Sequence, residues 1–228
     1  MLMSYTKYYF TGLILCFSFL GNSQNNFAFL GETSLALNTE LSYKYQMNFG
    51  LRSRYFLYQN ENVLLNYKQV DLIHFSTLKL DSRHTISLGL QYRFRDLFDE
   101  GDDEFRLTQQ FNMVKRVGAI RYGHRFRVEQ RFFKLFTTFR FRYRFTFDMP
   151  LIGTSLDVGE SYWVQSFEGV SSFTSAFKPV YDFRTTSQLG WLLTNYFKLQ
   201  AGLEYRLESF NITTLHRIFL LTTAVLKV

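Results

Sequence analysis

The sequence predicts an all-β protein: a transmembrane, antiparallel, up-and-down β-barrel of 10–12 strands following a cleavable signal peptide. Three observations predict it. Arginines alternate with aromatic residues at period 2 over long runs, an apolar leader opens the chain, and 27 Phe and 15 Tyr stand beside only 2 Pro and 13 Gly in 228 residues. At 20% charged residues the chain is neither a disordered tail nor a bundle of membrane helices.

The leader "MLMSYTKYYFTGLILCFSFLGNSQ" has Lys7 as its only charge, an apolar run from Tyr8 to Leu20, and small or polar residues after it. A basic start, an apolar middle and a small-residue exit read as a secretory signal peptide. The run falls short of the ~20 residues that a spanning helix needs. The reading is therefore a signal peptide over 1–24 and an exported barrel over 25–228. Cys16, the single cysteine, leaves with the leader, so disulfide and thiol chemistry leave with it. His74, His84, His124 and His216 are scattered, with no spacing that would hold a metal, and no cofactor is expected.

The strands follow in chain order. "NFGLRSRYFL" sets Arg52 and Arg54 between Leu51, Tyr55 and Leu57, and "HTISLGLQYRFRDLF" alternates Leu88, Leu90, Tyr92 and Phe94 with Ser87, Gly89, Gln91, Arg93 and Arg95. "RYGHRFRVEQRFFKLFTTFRFRYRFTF", residues 121 to 147, carries the pattern furthest. Arg121, Arg125, Arg127, Glu129 and Arg131 share one face of a strand over 119–133. Arg140, Arg142 and Arg144 share one face of a strand over 136–148. A helix would scatter these arginines around its circumference, whereas strand side chains alternate between two faces. "LQAGLEYRLESF" repeats the pattern with Glu204 and Arg206, and "LHRIFLLTTAVLKV" is a last apolar strand. Turn signals lie at 80–83 and 117–119, and longer loops at 96–104, 152–160 and 171–179. Bacterial single-chain barrels have an even strand number, which favours 10 or 12. The segment 27–45 decides between them.

A membrane barrel turns its aromatic face to lipid and its polar face to the lumen, the reverse of a soluble sandwich. The leader, the abundance of Phe, Tyr and Leu, and an Arg-over-Lys excess (17 against 9) favour the membrane arrangement. Guanidinium forks suit confined pairing with carboxylates better than lysine does. The candidate lumen residues are Arg52, Arg54, Arg93, Arg95, Arg121, Arg125, Arg127, Arg131, Arg140, Arg142, Arg144 and Arg206, with Glu129, Glu168 and Glu204 as their carboxylate partners.

"HRFRVEQRF" followed by "FRFRYRFTF", ahead of "SYWVQSFEG", resembles domain-of-unknown-function family 2490. That family consists of predicted outer-membrane β-barrels found mainly in Bacteroidota. The resemblance implies fold and location over nearly the whole mature chain, and implies no activity.

Two readings of the arginine ladders stay open. Arginines with glutamate partners can fill a narrow lumen and leave a structural or envelope-complex barrel, or they can line an anion-selective, porin-like path for small acidic solutes. Catalysis on lipid is the weaker third reading. No Gly-x-Ser-x-Gly elbow occurs, and His124 falls on the lipid-facing set, so the expectation is no enzyme. The acidic stretch Asp99–Glu104 reads as a solvated loop, lacking the ligand spacing of a calcium loop. A net charge of +7 raises nucleic acid as a partner, but an exported chain with enclosed arginines does not meet it. The expected surroundings are outer-membrane lipid and lipopolysaccharide of a Gram-negative bacterium, with other envelope proteins as further partners.

Overall fold

A computed structural model of the protein describes residues 26–59, 62–175 and 178–228. The signal peptide read over 1–24 and Cys16 lie outside these residues. Eleven strands are present: β1 (Phe27–Glu40), β2 (Tyr45–Gln59), β3 (Asn62–Lys79), β4 (His84–Phe94), β5 (Glu104–Val117), β6 (Ile120–Phe132), β7 (Thr137–Pro150), β8 (Ser161–Phe173), β9 (Val180–Thr194), β10 (Phe197–Glu208) and β11 (Leu215–Lys227). They run from 11 to 18 residues, beyond the ~9–11 that the hydrocarbon layer requires of a tilted strand.

Sequence neighbours pair antiparallel, and the sheet closes on itself where β1 meets β11. That last pairing is parallel, from Phe27 opposite His216 to Asn38 opposite Lys227. The count is eleven, within the expected 10–12 but not even. An odd number of up-and-down strands leaves the first and last pointing the same way, so closure has to be parallel. Segment 27–45 resolves into one strand and the turn 41–44. The strand that begins β1 therefore starts at one rim, called here the N-terminal rim, and β11 ends at the other, the C-terminal rim. The loop expected over 171–179 is shorter, because Ser171–Phe173 continue β8.

The period-2 pattern decides which side of the sheet faces in. Leu88, Phe126, Phe139, Phe141, Leu203 and Leu220 stand exposed on the outside, while Asp71, Glu104, Glu129 and Arg106 are buried within. An uncovered apolar exterior around a buried polar interior has its surfaces matched to a bilayer. One patch of the inner face departs from this. Leu30, Phe56, Phe219, Ala28 and Leu221, from β1, β2 and β11, pack together inside the barrel. This island backs the parallel junction, which is less stable per residue than an antiparallel one. Hydroxyl pairs also cross the junction, Ser34 Oγ to Thr223 Oγ1 at 2.8 Å and Thr33 Oγ1 to Thr222 Oγ1 at 3.0 Å. Two lumenal aromatic rings lie flat over glycines of the neighbouring strand: Phe75 over Gly89 and Tyr162 over Gly190.

Candidate functional site

Inward-facing arginines and carboxylates meet at one level of the lumen and form a girdle. On β3 and β4, Arg93 grips Asp71 with two hydrogen bonds, Nε to Oδ1 at 2.7 Å and Nη2 to Oδ2 at 2.9 Å. Glu104, at the start of β5, accepts from Arg106 Nη2 at 2.6 Å and from Arg131 Nε at 2.6 Å, with Arg93 and Arg95 each at 3.4 Å. Arg106 also reaches Glu129 at 3.4 Å, and Arg142 Nη1 donates to Glu129 at 2.7 Å. Arg142 continues to Glu168 on β8, which Arg144 and Arg184 approach at 3.2 and 3.8 Å. The rest of the circle is closed by Glu32. Its carboxylate takes Arg54 Nε at 2.5 Å, with Arg52 at 3.3 Å and Arg206 at 3.9 Å. Arg206 bonds Glu204, and Arg217 on β11 bonds Glu208 at 2.9 Å. All eleven strands contribute.

Burying one charge alone is costly, and removing one member of a buried pair leaves the other uncompensated. The girdle avoids isolated carboxylates: Glu32, Glu104, Glu129 and Glu168 are each shared among several guanidiniums, while Asp71 is held by Arg93 and Glu204 by Arg206. Arg206 also lies over the Phe219 ring, 3.8 Å from its centroid, which ties the girdle to the apolar island.

Three cavities lie along the lumen. An upper chamber of about 400 Å³ opens toward the N-terminal rim, bounded by Phe133, Lys178 and Ser209. A middle chamber of about 540 Å³ lies on the other side of the girdle. A vestibule of about 590 Å³ at the C-terminal rim adjoins it through Asn38, Asn48 and Thr77. Arg54, Arg93, Arg140, Arg184 and Arg206 line both the upper and the middle chamber and stand where the two adjoin.

Of the residues read from the sequence, Arg52, Arg54, Arg93, Arg125, Arg127, Arg131, Arg140, Arg142, Arg144 and Arg206 line the two chambers. Arg95 reaches the upper chamber from the connection after β4. Arg121 sits at the C-terminal rim instead, its side chain 54% exposed and paired with Asp148 at 2.9 Å. Glu129, Glu168 and Glu204 lie in the girdle. Sequence reasoning missed Glu32, Asp71, Arg106 and Arg184. It also placed Glu104 in a solvated loop, whereas Glu104 is 1% exposed and opens β5. Its period-2 relation to Arg106 was the available signal.

The histidines lie outside the lumen. His124 pairs with the Tyr143 hydroxyl at 2.9 Å, His216 with Tyr205 at 2.7 Å, and His84 with Asp81 at 2.8 Å in a turn. His74 sits within β3. Its Nε2 is 3.1 Å from Ser76 Oγ, and its Nδ1 is buried without an acceptor among the described residues, so no carboxylate orients the ring. Among the described residues, no group of three His, Cys, Asp or Glu side chains is placed to hold a metal.

An apolar-clad, charge-filled closed sheet defines a β-barrel of the outer-membrane kind. The chain belongs to the family described as "Protein of unknown function (DUF2490)", which matches residues 33–214. No curated protein matches it. Among solved structures it is similar to LpxR from Salmonella typhimurium, with a TM-score of 0.50 and 8% identity over 80% of this chain and 84% of that one. OmpT, an outer membrane protein of Vibrio cholerae, gives a TM-score of 0.41 at 6% identity over 72% of this chain and 53% of that one. The siderophore receptor PirA from Pseudomonas aeruginosa gives 0.31 at 11% identity, over 76% and 34%. At such identities the likeness to LpxR shows the fold alone.

Proposed function

We propose that this protein is a non-catalytic outer-membrane barrel whose lumen is closed by its own side chains, serving as a structural subunit of the cell envelope. The observation that supports this reading is the set of five arginines that stand where two chambers adjoin, which we read as a partition, together with the near-complete burial of Asp71, Glu104, Glu129, Glu168 and Glu204. A barrel near eleven strands is narrow enough for long side chains to span it. Location in the outer membrane is supported by the apolar exterior and by the leader read at 1–24. The outer surface then meets lipid and lipopolysaccharide, and neighbouring envelope proteins are the natural partners.

Planar-bilayer recording tests the closed lumen. The purified barrel is expected to be electrically silent while keeping the heat-dependent gel mobility of a folded barrel. A steady anion-selective conductance would instead establish the second reading, a narrow anion channel, which the arginine surplus of the middle chamber favours.

A further inference from the structure

The girdle accounts for most of the lumenal arginines but leaves Arg125 and Arg140 of the middle chamber without a carboxylate among the described residues. On β6 and β7, Arg125 stands directly opposite Arg144, and Arg127 directly opposite Arg142. Like charges placed opposite one another across a sheet are destabilising. Of these four, Arg142 and Arg144 bond carboxylates and Arg127 Nη1 reaches Glu129 at 3.6 Å, while Arg125 Nε donates to the neutral Asn112 amide oxygen at 2.9 Å and Arg127 Nε to Gln110 at 3.0 Å. Arg140, two residues along β7 from Arg142, has among the described residues only the Ser172 hydroxyl, at 2.9 Å. Eleven arginines line this chamber; nine of them reach carboxylates of the girdle, and the two glutamates of the lining, Glu32 and Glu204, are already held by arginines.

Donor atoms are also left over. Arg144 Nε, Arg184 Nε and Gln91 Nε2 are buried and have no acceptor among the described residues, and all three side chains line the chamber. Buried donors in a folded protein almost always find a partner, so these three mark a wall whose hydrogen bonding the described residues leave incomplete. The facing wall, with Ser34, Asn38, Gln188 and Thr223, is neutral and polar and would not repel such a group.

From these observations we infer that the middle chamber is a binding site for a small, multiply charged oxyanion, held against β6 and β7 by Arg125, Arg127 and Arg144. Planar guanidinium forks bind phosphate and carboxylate oxygens in pairs, giving geometry as well as charge. About 540 Å³ suits a small-molecule ligand. The route in is the C-terminal vestibule, where Arg121, Lys198 and Lys227 raise the local concentration of anions. A pocket entered from one side needs no conducting lumen, so this site does not depend on whether the partition is closed.

The test is titration calorimetry of the purified full-length barrel in non-ionic detergent, with inorganic pyrophosphate and, separately, citrate. Saturable binding of either probe is expected, weakened about tenfold or more in the Arg125→Gln/Arg144→Gln variant, where two guanidinium forks are lost. The two probes separate a phosphoryl from a carboxylate ligand. Should that variant fail to fold, the unmodified protein decides: the binding probe must raise its unfolding temperature above the effect of sodium chloride at equal ionic strength. No saturable binding, equal binding to the variant, or no thermal shift beyond salt overturns the site. A bilayer conductance measured on the same preparation bears on the closed lumen alone.

Discussion

Arg142 holds Glu168 in a two-pronged grip, Nε to Oε1 at 3.0 Å and Nη2 to Oε2 at 2.7 Å, with its side chain 9% exposed. The same guanidinium bonds Glu129, so its removal takes the nearest partner from two buried carboxylates. Arg142→Met is expected to destabilise the barrel by about 3–5 kcal/mol, the cost typical of breaking a buried pair from one side. Urea unfolding in lipid vesicles, followed by tryptophan fluorescence, measures it. Adding Glu168→Gln removes one of the two carboxylate charges and is expected to recover part of the loss. A double variant less stable than the sum of both singles would contradict the pairing.

Phe219 is 2% exposed and sits at the parallel junction of β1 and β11, beneath Arg206. Phe219→Ala removes a ring from a packed island and is expected to cost about 3–5 kcal/mol. The outward-facing Leu220, 42% exposed, serves as the control, because its alanine variant leaves no cavity. Equal losses at the two positions would show that the island does not buttress the junction.

A Cβ added at Gly89 would lie 2.2 Å from Phe75 Cε1, so the ring occupies the space a side chain would need. Gly89→Val is expected to destabilise by about 1–3 kcal/mol through overpacking. Phe75→Ala in the same chain vacates that space and should make the valine tolerable. If the two changes add without compensation, the ring does not depend on the glycine.

The lumenal face was legible because strand alternation needs no tertiary information: the run from Arg121 to Arg131 declares its shared side by spacing alone. What period 2 does not encode is which residues share a level, since that depends on strand stagger around a closed sheet. Glu104 illustrates this. Its local context is an acidic loop; the period-2 relation to Arg106 hints at an inward face, and the pairing of Arg93 opposite it on β4 reveals a buried hub. The apolar island was hidden for another reason: "FAFL" and "RIFLL" are apolar on both faces, so alternation cannot say that Leu30 and Phe219 point inward. The odd strand count was also invisible, because β1 and β11 carry no signal of parallel rather than antiparallel closure.

Asp81 closes the turn between β3 and β4, its Oδ1 accepting from the backbone N–H of Arg83 at 2.7 Å and of His84 at 2.9 Å. These bonds, Arg83 foremost, lower its pKa to about 2. A depressed carboxylate contributes stability that is fully present above its unfolded pKa of about 4 and lost as pH falls through the folded value. Asp81→Ala should therefore lower the unfolding temperature at pH 6–8, and the gap to the parent should close as pH drops from about 4 toward 2. A gap independent of pH would mean that the carboxylate charge contributes nothing to the turn.

The partition itself can be opened while every carboxylate of the girdle keeps an arginine, and Asp182, which loses Arg184, keeps the Ser209 backbone N–H at 3.0 Å. Arg140 bonds only the Ser172 hydroxyl among the described residues, and Arg184 approaches Glu168 and Asp182 no nearer than 3.8 and 3.5 Å. Arg140→Ala/Arg184→Ala removes two of the five arginines that separate the chambers while Arg142 still holds Glu168. The folded variant is expected to gain ion conductance that the parent lacks, and the current should favour anions because the remaining lining stays rich in arginine. Single-channel recording under a salt gradient reads both properties. A variant that folds and stays silent would move the constriction elsewhere. A cation-selective current would show that the arginines left behind do not set the lumenal field.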